Sequence, residues 1–211
     1  MLLIRHGETD WNRVRRVQGH ADIALNATGR AQARQLGTAL AARDPIAKIY
    51  SSDLTRALET ARAVAQAVGA ELTEVPALRE RHFGQFQGMS FTEADRRFPE
   101  QAWHWRHRTP DWSPPGGGES LLAFRQRIAT AIAALGRQNM GRQIAVITHG
   151  GVLDVLYRAA TGLDLQSART WRIGNATINR VLWTPDGGLA LVGWDDAMHL
   201  NARVLDENTA G

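Results

Sequence analysis

Apolar residues along this chain fall into two kinds of run. Short, mostly apolar runs at 2–4, 46–50 and 143–148 have the length of buried strands, and 71–75 alternates as a strand does. Longer stretches repeat apolar residues every three or four positions, the period of a helix packed on one face. They cover 28–42, with Thr28 as the expected N-cap, then 54–68, 120–135 and 151–161. Two further strands, 178–183 and 189–194, flank Asp186-Gly187-Gly188, a hairpin turn. Strand and helix alternate up to 161, which predicts an α/β domain with a mostly parallel sheet and a closing antiparallel addition. Two segments break the pattern. Residues 7–27 lack a helical period and read as a long functional loop, and 76–120 is irregular apart from one helix near 91–98. The second segment carries Trp103, Trp105 and Trp112 and reads as a lid or binding region.

At 211 residues the chain suits one domain, 1–211, with a sizeable core. It has no cysteine, which removes disulfides and thiolate metal sites. The first apolar run is too short for a signal peptide or a membrane span, so a cytoplasmic protein without a membrane partner is expected. The formal charge is +4, and every basic residue except Lys48 is arginine. Part of that bias reads as genomic composition; the positive field still favours anionic substrates. No basic run interleaves with aromatics, so nucleic acid is not an expected partner.

The candidate chemistry lies where strands end. Strand 2–4 runs into Arg5-His6-Gly7, and strand 143–148 into His149-Gly150. In open α/β sheets the carboxyl edge is the ligand-binding edge. Arg56, in the first turn of the helix after Ser51-Ser52-Asp53, points to the same edge. Two arginines and two histidines make a cationic pocket that suits phosphate, with bidentate donors from arginine and backbone amides from Gly7 and the helix after Gly150. A neutral imidazole can attack phosphorus and form a phosphohistidine. The leaving oxygen then needs an acid, and Glu80, in a loop after a strand, is the best candidate. Read alone, each of these residues has a plain structural reading too; Glu80, between Arg79 and Arg81, suits a solvated ion pair. His6, His82, His104, His107 and His149 match no compact metal motif, and Arg5 and Arg56 would repel a dication, so no metal is expected.

Together these residues resemble the histidine phosphatase superfamily, also called the phosphoglycerate mutase-like family. The matching stretches are Arg5-His6-Gly7-Glu8-Thr9, Trp11-Asn12, Gln18-Gly19, Leu25-x-x-x-Gly29, Ser51-x-x-x-x-Arg56-Ala57-x-x-Thr60-Ala61, Leu78-x-Glu80-x-x-x-Gly84, Gly118-Glu119-Ser120 and Thr148-His149-Gly150. The resemblance implies a three-layer α/β/α sandwich with a helical lid at about 80–120. It implies that His6 is the phosphorylated nucleophile and that Arg5, Arg56 and His149 bind the phosphoryl group. Glu80 would be the proton donor, with Asn12, Gln18, Gly19, Gly7 and Gly150 around the phosphate.

The family divides into phosphatases and mutases primed by 2,3-bisphosphoglycerate. Glu80-Arg81-His82-Phe83-Gly84, Gln87-Gly88-Met89 and Trp105-Arg106 resemble the mutase pattern. His107 stands where that pattern has a second arginine, Phe91 stands near its lysine, and the lid is shorter. Fewer cations and more apolar and aromatic residues (Phe83, Phe86, Met89, Phe91, Trp103, Trp105) suit a larger or less charged ester. The resemblance therefore favours a phosphatase of a small phosphorylated metabolite, with no cofactor. A mutase using 2,3-bisphosphoglycerate and an inactive phosphoryl-binding module are the alternatives, and homodimerisation is left open.

Overall fold

The computed structural model describes residues 1–200, so the end of the expected 1–211 span lies outside the described residues. The elements run in the order β1 (Leu2–Arg5), α1 (Asp10–Arg13), α2 (Ala27–Arg43), β2 (Lys48–Ser51), α3 (Thr55–Val68), β3 (Leu72–Glu74), α4 (Phe91–Arg97), α5 (Pro99–Arg106), α6 (Leu121–Gln138), β4 (Ile144–Thr148), α7 (Gly150–Thr161), β5 (Ile178–Trp183) and β6 (Leu189–Asp196). Six strands form one sheet in the order β3-β2-β4-β1-β5-β6. The first four of that order are parallel, and β5 and β6 add antiparallel.

The three layers follow from the side-chain alternation of buried strands. Leu3 of β1 and Ile144 and Val146 of β4 pack with Phe124, Ile128 and Ile132 of α6 and Leu153 and Leu156 of α7. Their neighbours in sequence, Leu2, Ile4, Ala145 and Ile147, point the other way, onto Leu36 and Leu40 of α2 and Ala57, Ala61 and Val64 of α3. Every residue of β1 and β4 is therefore buried, which is why these strands read as unbroken apolar runs. Among the described residues, no helix is long and apolar enough to cross a membrane.

Three local expectations change. The N-cap of α2 is Asn26, whose side chain accepts from the Gly29 amide at 2.8 Å; Thr28 lies inside the first turn. Both residue types cap well, and the polar positions 26 and 28 do not separate them. The 7–27 loop contains the short helix α1, closed by a capping box between Thr9 and Asn12. The 76–120 segment holds two helices, because Pro99 starts α5 directly after α4. They enclose a small separate core of Phe86, Ala94 and Ala102, against which Phe83, Met89, Phe98, Trp105 and Trp112 pack. Trp103 stays outside and half-exposed, stacked on His107.

Candidate active site

β1 and β4 are parallel neighbours in register, with Arg5 opposite Thr148. Their carboxyl ends therefore release His6 and His149 side by side, with ring centroids 5.3 Å apart. The His6 amide donates to the Thr148 carbonyl at 2.9 Å, which extends the ladder by one step and fixes the backbone. Asn175, from the segment before β5, donates to the His6 carbonyl at 2.9 Å from the other side.

The His6 ring is held in one tautomer. Nδ1 lies 2.7 Å from the Gly7 carbonyl oxygen. A carbonyl can only accept, so Nδ1 carries the hydrogen and the neutral ring has its lone pair on Nε2. Burial, then the charges of Arg56 and Arg5, hold the His6 pKa well below the ordinary histidine value of 6.5. The ring is thus neutral at physiological pH, with Nε2 available as a nucleophile.

The two arginines reach the site differently. Arg5 ends β1 and donates Nη1 to the Ile173 carbonyl at 2.8 Å. Arg56, in the first turn of α3, donates Nη1 to Ala21 and Nη2 to Gly19 carbonyls at 2.9 and 2.7 Å. These carbonyl contacts help to aim each guanidinium. His149 donates to or accepts from the Ser52 hydroxyl through Nε2 at 2.9 Å. Its Nδ1 is buried with no hydrogen-bond partner among the described residues. Burial, Arg56, His6 and Arg5 hold its pKa well below 6.5 as well.

Glu80 completes the group from the opposite wall. Its Oε1 accepts from the Arg81 amide at 2.7 Å and its Oε2 from the Gly151 amide at 2.8 Å, so the N-terminus of α7 holds the carboxylate. A Cβ on residue 151 would stand 2.3 Å from Oε1, so only glycine admits this approach. The neighbouring arginines turn elsewhere: Arg79 pairs with Asp53 at 2.5 Å, and buried Arg81 donates to the Glu119 carbonyl at 2.7 Å. Arg127 of α6 binds the carbonyls of Ala77, Arg79 and Glu80 and the Glu119 carboxylate, which fixes the loop that presents Glu80.

These side chains open into a cavity of about 200 Å³. Arg5, His6, Asn12, Gln18, Gly19, Arg56, Glu80 and Gly150 line it, which brings together eight of the ten residues singled out in the sequence. His149 stands behind the lining, against His6. Gly7 is the exception that changes role. Its amide, expected at the phosphate, instead donates to Thr60 Oγ1 of α3 at 3.0 Å. A Cβ on Gly7 would stand 2.5 Å from the Gly29 carbonyl oxygen, which explains both glycines of the motif.

The outer cavity holds Trp11, Arg15, Arg16, Phe83, Phe91, Trp105, Arg108, Asp154 and Arg169. Of the aromatics expected over the site, Phe83, Phe91 and Trp105 reach it. Phe86 is consumed in the lid core, and Trp103 faces outward. Arg106 pairs with Asp95 on the surface, and the cavity cation from that stretch is Arg108. Arg108 was not singled out, nor were Asp154, Arg169, Ser52, Asn175 and Arg127. A helical count from Gly150 places Asp154 on the cavity face, so that residue had a signal; the others depend on loop geometry.

A family model described as histidine phosphatase superfamily (branch 1) matches residues 1–197. Phosphoglycerate mutase-like protein 4 of Arabidopsis thaliana is 37% identical over 201 residues, covering 95% of this chain and 86% of that protein. The metal-independent phosphoserine phosphatase of the same plant is 34% identical over 203 residues, covering 96% and 83%. The solved structure of a mycobacterial glucosyl-3-phosphoglycerate phosphatase in complex with VO3 superposes with a TM-score of 0.81 at 29% identity, covering 93% of this chain and 99% of that one. A paired Arg-His strand end, a second histidine and a carboxylate across one cavity, together with these matches, make the chain a member of the histidine phosphatase superfamily.

Proposed function

We propose that the protein is a metal-independent phosphomonoesterase that works through a phosphohistidine on His6. The observation that carries this is the His6 ring, neutral, pinned through Nδ1 and flanked by two arginines. Nε2 attacks phosphorus; the N–P bond forms as the ester P–O bond breaks, and the leaving oxygen takes a proton from the Glu80 carboxyl group. Water then gives a proton to Glu80 and attacks phosphorus, the N–P bond breaks, and inorganic phosphate leaves. Arg5, Arg56 and the Gly150 end of α7 stabilise the equatorial oxygens, and His149 Nδ1 is an orphan that a phosphoryl oxygen would satisfy. Asn12 and Gln18 complete the cradle. The relative described as a metal-independent phosphoserine phosphatase fits this scheme.

The protein should hydrolyse p-nitrophenyl phosphate at a rate that EDTA does not change. Rapid acid quench should trap no stable adduct, whereas alkaline quench should retain phosphate on the protein. Loss of turnover in His6→Ala is expected; an unchanged rate in that variant ends the scheme.

A mutase reading has one specific support, the cations Arg15, Arg16, Arg108 and Arg169 in the outer cavity, which suit a second anionic group. Isomerisation of 3-phosphoglycerate that depends on added 2,3-bisphosphoglycerate would decide for it.

A further inference from the structure

The outer cavity contains one acid among its cations. Asp154 lies on α7, four residues after Gly150, so the two share a face of that helix about 6 Å apart along its axis. Gly150 stands at the phosphoryl end of the cavity and Asp154 at the lid end. The carboxyl group is 5% exposed, and its two oxygens differ. Oδ2 accepts from Arg108 Nη2 at 2.6 Å and from Arg158 Nε at 3.0 Å. Oδ1 is buried and has no hydrogen-bond partner among the described residues. A buried carboxylate oxygen without a donor costs free energy until something supplies one.

The two ion pairs do not explain Oδ1. Oδ2 alone ties Arg108, at the end of the lid, to Arg158, which is buried and also donates to the Ser167 carbonyl at 3.0 Å. Asp154 lines a cavity whose other residues include six arginines and only one further acid, Glu80. Two guanidiniums already balance the Asp154 charge, so another cation beside it would add to a positive excess. The missing partner is therefore a neutral donor.

We propose that Asp154 is a specificity-determining residue whose Oδ1 accepts a hydrogen bond from a hydroxyl on the substrate, about one helical turn from the phosphoryl group. The preferred leaving groups are then hydroxylated, with the hydroxyl on an arm of about three carbons from the phosphoryl group. Phe83, Phe91 and Trp105 cover the arm, and a simple alkyl ester would leave Oδ1 unsatisfied. The proposal rests on the phosphoryl site at His6, but not on turnover there.

Binding of matched phosphonates, which cannot be hydrolysed, tests it. The probes are 3-hydroxypropyl-, 3-methoxypropyl-, propyl- and 3-aminopropylphosphonate, each titrated by calorimetry into the full chain. A hydroxyl can donate, a methoxy oxygen can only accept, and an ammonium adds charge. The hydroxyl probe should bind roughly tenfold to a hundredfold more tightly than the methoxy and propyl probes. In Asp154→Asn the two arginine donors turn the amide oxygen toward themselves and its NH2 toward the cavity. The preference of hydroxyl over methoxy should then fall close to one. If that variant does not fold, the wild-type comparison stands alone. Equal affinity for hydroxyl and methoxy probes, tightest binding of the amino probe, or no binding of any probe overturns the proposal. Failure of the phosphatase reading shows separately, as no release of p-nitrophenol from p-nitrophenyl phosphate.

Discussion

At the scale of single residues, the acid role proposed for Glu80 depends on its close approach to the backbone of residue 151, whose amide donates to Oε2 at 2.8 Å. Gly151→Ala would place a methyl group 2.3 Å from Oε1, so the carboxylate must shift and lose the Gly151 amide. Proton donation to the leaving group is geometry-sensitive, and a displacement near 1 Å can cost about a hundredfold in rate. Both Gly151→Ala and Glu80→Gln should therefore slow alkyl phosphates far more than p-nitrophenyl phosphate, whose leaving group needs little protonation. Equal slowing of all esters in steady-state assays would remove Glu80 from the acid role. His6 was legible in the sequence because it follows the end of an apolar run, and Glu80 because it stands in a loop after a strand and within the stretch Leu78-x-Glu80-x-x-x-Gly84. Asn175, which bonds the His6 carbonyl and reaches Asn12 Oδ1 at 3.4 Å, was not. It comes from an irregular segment whose path no periodicity reveals.

At the scale of elements, the site is an arrangement of ends. Two strand ends supply His6 and His149, the first turn of α3 supplies Arg56, and the first turn of α7 supplies Gly150 and the Gly151 amide. Of the five candidate catalytic side chains, Glu80 comes from the longer loop after β3, and α6 holds that loop through Arg127. The Arg127–Glu119 pair is partly buried, with bonds of 2.7 and 2.9 Å, and the same guanidinium takes three carbonyls. Arg127→Met keeps the stem but removes these bonds, and should cost about 2–3 kcal/mol in urea denaturation. Catalysis should fall with it even where the variant is fully folded, because the backbone on which Glu80 stands is released. The strands and long helices were legible from their apolar periods. The lid was legible in part: the helix expected near 91–98 is α4, but α5 was missed, because an eight-residue helix shows hardly two turns of pattern and the lid core is small, built on Phe86, Ala94 and Ala102.

At the scale of the whole molecule, acid is the condition to which the fold is most exposed. Burial lowers the pKa of His6, His20, His149 and His199 below the ordinary value of 6.5, and at His6 and His149 the arginines lower it further. Below pH 6.5 the unfolded chain takes up protons that the native state refuses, so stability is full above that pH and falls as pH drops beneath it. Thermal denaturation across this range should show the midpoint falling on the acid side. Saturating inorganic phosphate should make the fall shallower, because an anion between the arginines favours imidazolium. The acid limb of kcat/KM should lie below 6.5, since the nucleophile stays neutral there.

The position of β1 in the sheet bears on how this molecule is made. The strand that ends in Arg5 and leads to His6 is made before both of its partners, for it lies between β4 and β5, with a ladder on each edge. Neither partner exists until the chain has passed residue 143. A nascent chain stopped there already contains Arg5, His6, Arg56 and Glu80, but its most apolar strand has nothing to pair with. Closing those ladders means joining residues some 140 to 180 positions apart, such as Leu2 with Ala145 and with Arg180. Loops of that span close late and slowly. The proposed site therefore cannot assemble until those ladders close, and β1 spends that interval unpaired.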